Sequence, residues 1–440
     1  MKASVIIPVW NGREYLSECI DALWSQTYSD FEIIVVDNAS VDGSADFIAE
    51  KYPPIRLARN AQNLGFSGGC NVGLRVAEGD VLVLLNQDTR VQPGWLQALV
   101  KVLQRPEIGV AGCKILYPDG QTIQHAGGWI EWPLGLAHHY GQGERDVGQW
   151  DNACQVEYVT GAALAFRRDT WKQVGFLDEA FWPGYFEDVD FCFRVRDAGV
   201  EVWYVPEAVV IHAESTSLTD LSKISSYYQQ GRLRFILKHL SPFRFLAEFV
   251  PAEREYQPAA IRGQESGSLL TAYLRGVSMA PQLLRCRWQA PEDVNRAVYL
   301  ALRELYERAW AEEGKRLTEH KAGVEMGLAS SGYTVVDTLP LQEFEFRSRV
   351  PVVGPLIAGF RSWWYSMAAR WAIRDLIRQQ SVINHQQSVI NRQQSALNHQ
   401  QEVITRFLEQ QVAVLMEENG FLAYQIACLN CDKVQNDKVW

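Results

Sequence analysis

Two carboxylates carry the most chemical information in this chain, Asp88 and Asp188. Asp88 follows the apolar run Val81–Leu85, inside Asn86-Gln87-Asp88-Thr89. Asp188 lies in Phe186-Glu187-Asp188-Val189-Asp190, where acids crowd beside aromatics. Each is expected where a strand runs out, and in open α/β sheets ligands bind at the carboxyl ends of strands. Carboxylates held there suit a divalent cation or general-base work. Glu187, Asp188 and Asp190 stand too close to ionise independently, so at least one of their pKa values is expected to rise toward the range useful to a base. The chemistry indicated is metal-dependent group transfer on a nucleotide-activated substrate.

The elements that must position these residues alternate in the α/β manner over the first ~240 residues. Strands are expected at 5–7, 31–36, 55–58 and 81–85, and helices at 15–26, 44–52 and 70–78. The strand segments are near-continuous Val/Ile/Leu runs, which suit a parallel sheet covered on both faces. Residues 109–152 are rich in glycine and aromatics and read as a partly exposed loop region. Regular signals return at 158–167, at the helix start Arg168-Asp169-Thr170-Trp171, at the helix 189–198, and at strands 201–205 and 209–212.

Composition narrows the classes. The chain has 440 residues, 47% of them hydrophobic and 21% charged, enough for two or three domains with a sizeable core. A net charge of -10 argues against a nucleic-acid binder, which carries a basic face. Met1-Lys2 leads directly into a strand-like run, so no secretory signal is expected. Residues 350–360 are the least polar stretch, interrupted by Pro351 and Pro355 and too short to span a bilayer. The 8 cysteines are expected as reduced, mostly buried thiols, and Cys428-x-x-Cys431 lacks the further ligands of a zinc site. A cytoplasmic location follows, extending to the inner face of the plasma membrane.

From residue 241 the pattern changes. Pro242, Pro251 and Pro258 interrupt it, and 291–313 reads as one helix in a helical region spanning 241–345. Residues 346–378 are basic and carry Trp363, Trp364 and Trp371, without separate apolar and basic faces on a helical wheel. Peripheral membrane contact, docking to an assembly complex and packing within the molecule all remain open for this segment. From 379 a seven-residue unit, Gln-Gln-Ser-Val-Ile-Asn-His, recurs with drift at 386, 393 and 400. That period suggests a coiled coil over 379–440 and a homo-oligomer, with one seam position occupied by Gln.

The motifs, taken together, resemble those of glycosyltransferase family 2, in the style of bacterial rhamnosyltransferase-like members. They are Ile7-Pro8-Val9-Trp10-Asn11, Val36-Asp37-Asn38-Ala39-Ser40, Asn63-Leu64-Gly65-Phe66-Ser67-Gly68-Gly69-Cys70-Asn71, Asn86-Gln87-Asp88, Phe186-Glu187-Asp188-Val189-Asp190 with Arg194, and Val205-Pro206 leading to His212. The resemblance covers residues 3–240. It implies a GT-A fold, a Rossmann-like nucleotide-sugar domain at 1–240 with a mostly parallel central sheet. It also implies a nucleoside diphosphate sugar donor, possession of a divalent cation (Mn²⁺ or Mg²⁺), and an inverting transfer to a glycan or lipid-linked glycan in cell-surface polysaccharide synthesis. Rhamnose is the sugar suggested by style.

The resemblance places the donor against Pro8, Asn11, Asp37, Asn38, Gly65, Phe66, Gly69, Asn71, Asn86 and Asp88. It makes Asp188 the base and Asp88 and His212 metal ligands. Supporting or acceptor-side places fall to Trp182, Glu187, Asp190 and Arg194. Asn86 stands where the family's Asp-x-Asp motif has its first acid, which leaves Asp88 as the charged ligand. Bland alternatives stand beside these roles. Asp37 and Asp188 could cap helices, the glycine loop could be a tight turn, and His212 or Trp182 could serve packing. Two rivals differ in class: a sugar-nucleotide-binding scaffold, and a nucleotidyltransferase, whose Gly-rich basic loop after the first strand is replaced here by Pro8-Val9-Trp10-Asn11-Gly12-Arg13.

Overall fold

A computed structural model describes residues 1–213, 221–263 and 266–330. The Trp-rich segment, the heptad repeat and Cys428-x-x-Cys431 lie outside the described residues. In chain order the first half runs β1 (Ala3–Val9), α1 (Arg13–Trp24), β2 (Phe31–Asp37), α2 (Ser44–Lys51), β3 (Arg56–Arg59), α3 (Gly65–Val76) and β4 (Val81–Leu85). Next come β5 (Thr89–Val91), α4 (Trp95–Val102), β6 (Ile108–Leu116), β7 (Ile123–His125), β8 (Gly128–Glu131), β9 (Leu136–His139), β10 (Cys154–Gln155) and β11 (Ala163–Arg167). The α/β part closes with α5 (Arg168–Val174), α6 (Glu187–Asp197) and β12 (Glu201–His212). Helices α7 (Leu221–His239), α8 (Pro242–Arg244), α9 (Val250–Arg262), α10 (Ser266–Trp288) and α11 (Glu292–Ser330) follow.

The main sheet has the order β10-β12-β6-β11-β4-β1-β2-β3. Strands β3, β2, β1 and β4 are mutually parallel, β11 is antiparallel to both β4 and β6, and β12 runs parallel to β6. This is the mostly parallel central sheet expected from the sequence. Alternation along each strand fills both faces. Val5 and Ile7 of β1 with Val83 and Leu85 of β4 pack toward Leu16, Ile20 and Leu23 of α1. Ile6, Val36 and Leu84 pack toward Cys70 and Leu74 of α3 and Phe191 of α6. With both faces covered, the ligand edge is where the strand carboxyl ends point, and β1, β2, β4, β6 and β12 all end there.

Within the α/β part, the limits of several elements differ from expectation. Residues 109–152 contain β6, buried along its whole length in the middle of the sheet, together with the β8–β9 hairpin. The glycines that suggested a loop serve close packing: a Cβ on Gly112 would lie 2.3 Å from Val159. The helix expected from Cys70 begins at Gly65, so Gly68, Gly69 and Gly73 are helical. A Cβ on Gly73 would meet Ile6 at 2.3 Å, so here tight helix–sheet contact outweighs the low helix propensity of glycine. The expected strands 201–205 and 209–212 are one strand, β12, with an irregular register between Val205 and Val209 where Pro206 supplies no N–H.

Helices α7, α9, α10 and α11 enclose a third core around Leu233, Phe249, Tyr273, Leu302 and Leu305. Proline does not break this region as expected, since Pro258 and Pro281 both lie inside helices. Among the described residues no helix is long and apolar enough to cross a membrane. A buried ion pair, Arg232 with Glu253, ties α7 to α9. Tyr273 of α10 donates to Glu253 at 2.6 Å, and Arg232 donates to the Leu134 carbonyl in the β8–β9 turn at 2.8 Å. Arg232→Met leaves that carboxylate buried without its cation. A loss of about 3–5 kcal/mol is expected in urea unfolding. The double change Arg232→Met/Glu253→Leu is expected to recover most of it.

Candidate active site

The carboxyl edge of the sheet opens into a cleft of about 700 Å³. Its floor is the end of β4. Asn86 donates its backbone N–H to Ala162 at 2.9 Å, and the Asp88 carbonyl accepts from Ala213 at 3.0 Å. Strand β5 pairs with the end of β12, Thr89 opposite His212, which brings Asp88 beside the imidazole. The distance from Asp88 Oδ1 to His212 Nε2 is 3.2 Å. On the other ring nitrogen, Nδ1 lies 2.7 Å from Gln124 Oε1. With that oxygen accepting, Nδ1 carries a hydrogen, and Nε2 is the ring nitrogen that faces Asp88. Asn86 Nδ2 is 3.4 Å from the same Nε2.

The second carboxylate arrives from a helix. Asp188 stands in the first turn of α6, not at a strand end, because the acids that crowd there favour a helix N-terminus. Its Oδ2 accepts from Gly161 N at 2.7 Å and its Oδ1 from Val189 N at 2.7 Å. Burial nevertheless raises its pKa above the ordinary carboxylate range, against those two N–H donors. Burial and the charge of Asp188 together drive Glu187 well above its ordinary value, and Glu187 Oε2 has no partner among the described residues. Asp190 moves the other way. Burial alone would raise it, but His239, Lys238 and Arg194 hold it well below the carboxylate range.

That split follows from direction. Asp190 faces α7, with His239 Nε2 and Lys238 Nζ each at 2.8 Å and Arg194 Nε at 2.9 Å. Asp178 accepts from Arg234 and Lys238 of the same helix at 2.8 and 2.9 Å. The two anchors flank the segment bearing Trp182 and Asp188. Between them Tyr185 and Phe186 both take positive φ, 77° and 73°. Such strain persists only where surroundings over-determine it. Gly231 of α7 provides that closeness, since a Cβ there would lie 2.6 Å from the Tyr185 carbonyl.

Of the remaining residues singled out from sequence, Pro8, Asn38, Gly65, Phe66, Asn86, Trp182 and Glu187 line the cleft with Asp88, Asp188 and His212. Gly65 has φ +72°, and a Cβ there would meet Trp182 at 2.7 Å. Asn38 donates to the Gly65 carbonyl at 2.9 Å, while Gly69 passes beneath Asn38 and Pro8. Asp37 is buried at the end of β2, its oxygens 3.4 Å from Ser40 N. Other residues lie off the cleft wall. Asn11 accepts from Val41 N at 2.9 Å and belongs to a neighbouring depression with Arg13 and Asp42. Asn71 clasps Leu177 through both its backbone groups. Asp190 and Arg194 face α7 and the 174–176 turn. Gln124, His139, Tyr158, Tyr227 and Tyr228 also line the cleft and were not legible as site residues. They come from the loop-like 109–152 region, the approach to β11 and α7, where no motif marks them.

Residues 4–164 match the sequence profile described as Glycosyl transferase family 2. Over this stretch, from β1 into β11, the chain is similar to that family. An uncharacterized protein of Sinorhizobium fredii is 33% identical to it over 231 residues, covering 49% of this chain and 24% of that protein. An O-antigen biosynthesis protein of Myxococcus xanthus is 32% identical, covering 49% of this chain and 18% of that protein. The N-acetylglucosaminyl-diphospho-decaprenol L-rhamnosyltransferase of Mycobacterium tuberculosis is 28% identical, covering 53% of this chain and 84% of that protein. The chain thus spans a quarter or less of the first two relatives. The family match includes β4 with Asp88, while α6 with Asp188 and the end of β12 with His212 lie beyond it.

Among the described residues no group of three His, Cys, Asp or Glu side chains converges as a complete metal cage. Asp88 and His212 fit a partial site nonetheless. One oxygen and one nitrogen donor stand together on the floor of the cleft. Mg²⁺ and Mn²⁺ at phosphates take few protein ligands and fill the rest with phosphate oxygens and water.

Proposed function

We propose that this protein is an inverting glycosyltransferase that moves a sugar from a nucleoside diphosphate donor to a hydroxyl of a glycan or lipid-linked glycan in cell-surface polysaccharide synthesis. The observation that carries this reading is the presence of Asp88–His212 and Asp188 in one cleft at the carboxyl edge of a GT-A sheet. A divalent cation held by Asp88 and His212 would offset charge on the departing diphosphate. The described lining carries Asp88, Glu187 and Asp188 and no Lys or Arg, which supports the need for such a cation.

The chain's own residues supply the rest. Asn38, Gly65 and Pro8 shape the donor side, and Trp182 with Tyr185 offers aromatic faces suited to a sugar ring. Asp188 takes the proton of the acceptor hydroxyl as that oxygen bonds to the anomeric carbon and the diphosphate leaves from the opposite side. The raised pKa of Asp188 brings it nearer to neutrality, where a base is effective. The name of the M. tuberculosis relative favours rhamnose as the transferred sugar.

The test is donor turnover. Purified protein with Mn²⁺ is offered UDP-, dTDP- and GDP-sugars, and free nucleoside diphosphate is scored with and without EDTA. Slow hydrolysis of one donor that stops on chelation is the expected result. No turnover, together with no calorimetric binding of any donor, would sink the reading.

A further inference from the structure

We propose that Lys238 of α7 is a positioning residue for the base: its ammonium ties together the two ends of the segment 178–190 and thereby fixes where Asp188 stands in the cleft. The proposal rests on the reading of Asp188 as that base.

The tie is a single cation between two carboxylates. Lys238 Nζ lies 2.9 Å from Asp178 Oδ2 and 2.8 Å from Asp190 Oδ1. Between those ends stand Trp182, Tyr185, Phe186, Glu187 and Asp188, all of which line the cleft. Lys238 is not part of that lining, so its action passes through the segment. Its side chain is only 15% exposed and that of Asp190 is fully buried, so water and salt screen the pair far less than a surface ion pair. Among the described residues the neighbouring cations each serve one end. Arg234 meets Asp178 at 2.8 Å, while His239 and Arg194 meet Asp190 at 2.8 and 2.9 Å. Loss of Lys238 therefore leaves each carboxylate a cation of its own and removes the link between them.

The middle of the segment rests on the same side of α7. Phe186 packs against Tyr228 and Phe235, with ring centroids 5.1 and 5.6 Å away. Gly231 lets the Tyr185 carbonyl approach, since a Cβ there would lie 2.6 Å from it. Tyr228, Gly231, Phe235 and Lys238 follow one another at three- and four-residue spacing, which is one face of a helix. Against that face Tyr185 and Phe186 hold positive φ, 77° and 73°, directly ahead of Glu187 and Asp188. Backbone of this kind relaxes once its surroundings cease to over-determine it. A relaxed turn would carry Asp188 away from Gly161 N, which now donates to it at 2.7 Å.

The probe is the sugar nucleotide that the wild type hydrolyses with Mn²⁺, water serving as the acceptor. Lys238→Met is expected to lower turnover at saturating donor by roughly 10- to 100-fold, with donor KM and Mn²⁺-dependent nucleotide affinity within about twofold of wild type. That split separates positioning from a merely structural role, because Asp88 and His212 are held by strands and not by α7. Lys238→Arg, whose fork can meet both carboxylates, is expected to recover most of the turnover. Arg234→Met leaves the tie in place and is expected to lose less than about threefold. Asp178→Asn opens the tie from its other end, keeps an oxygen for Ala180 N, and decides the question should Lys238→Met not fold. Turnover near wild type in Lys238→Met or Asp178→Asn, an equal loss in Arg234→Met, or nucleotide affinity that falls in step with turnover overturns the proposal. Wild-type hydrolysis in Asp188→Asn would remove the base reading and this proposal with it. A clear Asp188 effect beside unchanged turnover in Lys238→Met removes the proposal alone.

Discussion

Asp188→Asn is expected to lower sugar transfer, and donor hydrolysis, by about 10³-fold, with the fold intact and nucleotide binding within a few-fold of wild type. The substitution preserves shape but cannot accept the acceptor proton. Each Asp188 oxygen takes one backbone N–H, from Gly161 and Val189, so the new amide turns an NH₂ toward one of these donors. That mismatch costs about 1 kcal/mol, well inside the stability of a domain this size. The pH profile has a definite sign. The folded pKa of Asp188 is raised, so activity is present above that value and is lost as pH falls through it. For stability the sense is opposite. A buried carboxyl with a raised pKa favours folding in its neutral form, and that contribution fades as pH climbs above the ordinary carboxylate range. Near neutral pH the Asn variant, carrying no buried charge, recovers part of its hydrogen-bond loss. Rates measured across pH with thermal unfolding at the same points check both halves. Activity within tenfold of wild type would remove Asp188 from the role of base.

Much of this site was legible because its chemistry sits at local breaks in pattern. Asp37, Asp88 and His212 follow or end apolar runs, and an apolar run followed by a polar residue is visible in one dimension. The triplet Glu187, Asp188, Asp190 was legible as a conflict of charge, and the conflict is present in the fold. What the sequence could not display was direction. On a helix Asp188 and Asp190 lie two residues apart and so point to different sides, one into the cleft and one to Lys238 and His239 on α7. That partner lies about 50 positions downstream and belongs to no motif. The glycines misled for a related reason. Glycine signals either a turn or a close approach, and only the neighbouring surface decides between them. At Gly73 and Gly112 the neighbour is a packed side chain, so α3 starts earlier and β6 exists where a loop was expected. His139 and Gln124 were invisible because the strands carrying them are short and their partners are distant.

Asp88→Asn is expected to abolish the strengthening of nucleoside diphosphate binding by Mn²⁺, a loss of about 3 kcal/mol or roughly 100-fold in affinity. The argument rests on what remains after the change. Asp88 Oδ1 and His212 Nε2 stand 3.2 Å apart as one carboxylate and one imidazole donor. With that carboxylate replaced by an amide, the floor of the cleft presents two carboxamides, that of Asn86 and the new one, beside the imidazole. Such a set no longer makes a site for a hard cation. Gln124 still orients His212, so the imidazole is preserved and the comparison isolates the carboxylate. His212→Asn is expected to weaken Mn²⁺-dependent binding less, because it removes a nitrogen ligand and leaves the carboxylate. In EDTA, nucleotide binding by Asp88→Asn should equal or slightly exceed that of wild type, since without a cation the carboxylate repels the diphosphate. Titration of UDP and dTDP with and without Mn²⁺ separates these cases. Equal Mn²⁺ enhancement in wild type and Asp88→Asn would mean that this carboxylate does not hold the ion, and that donor charge is met by residues elsewhere in the chain.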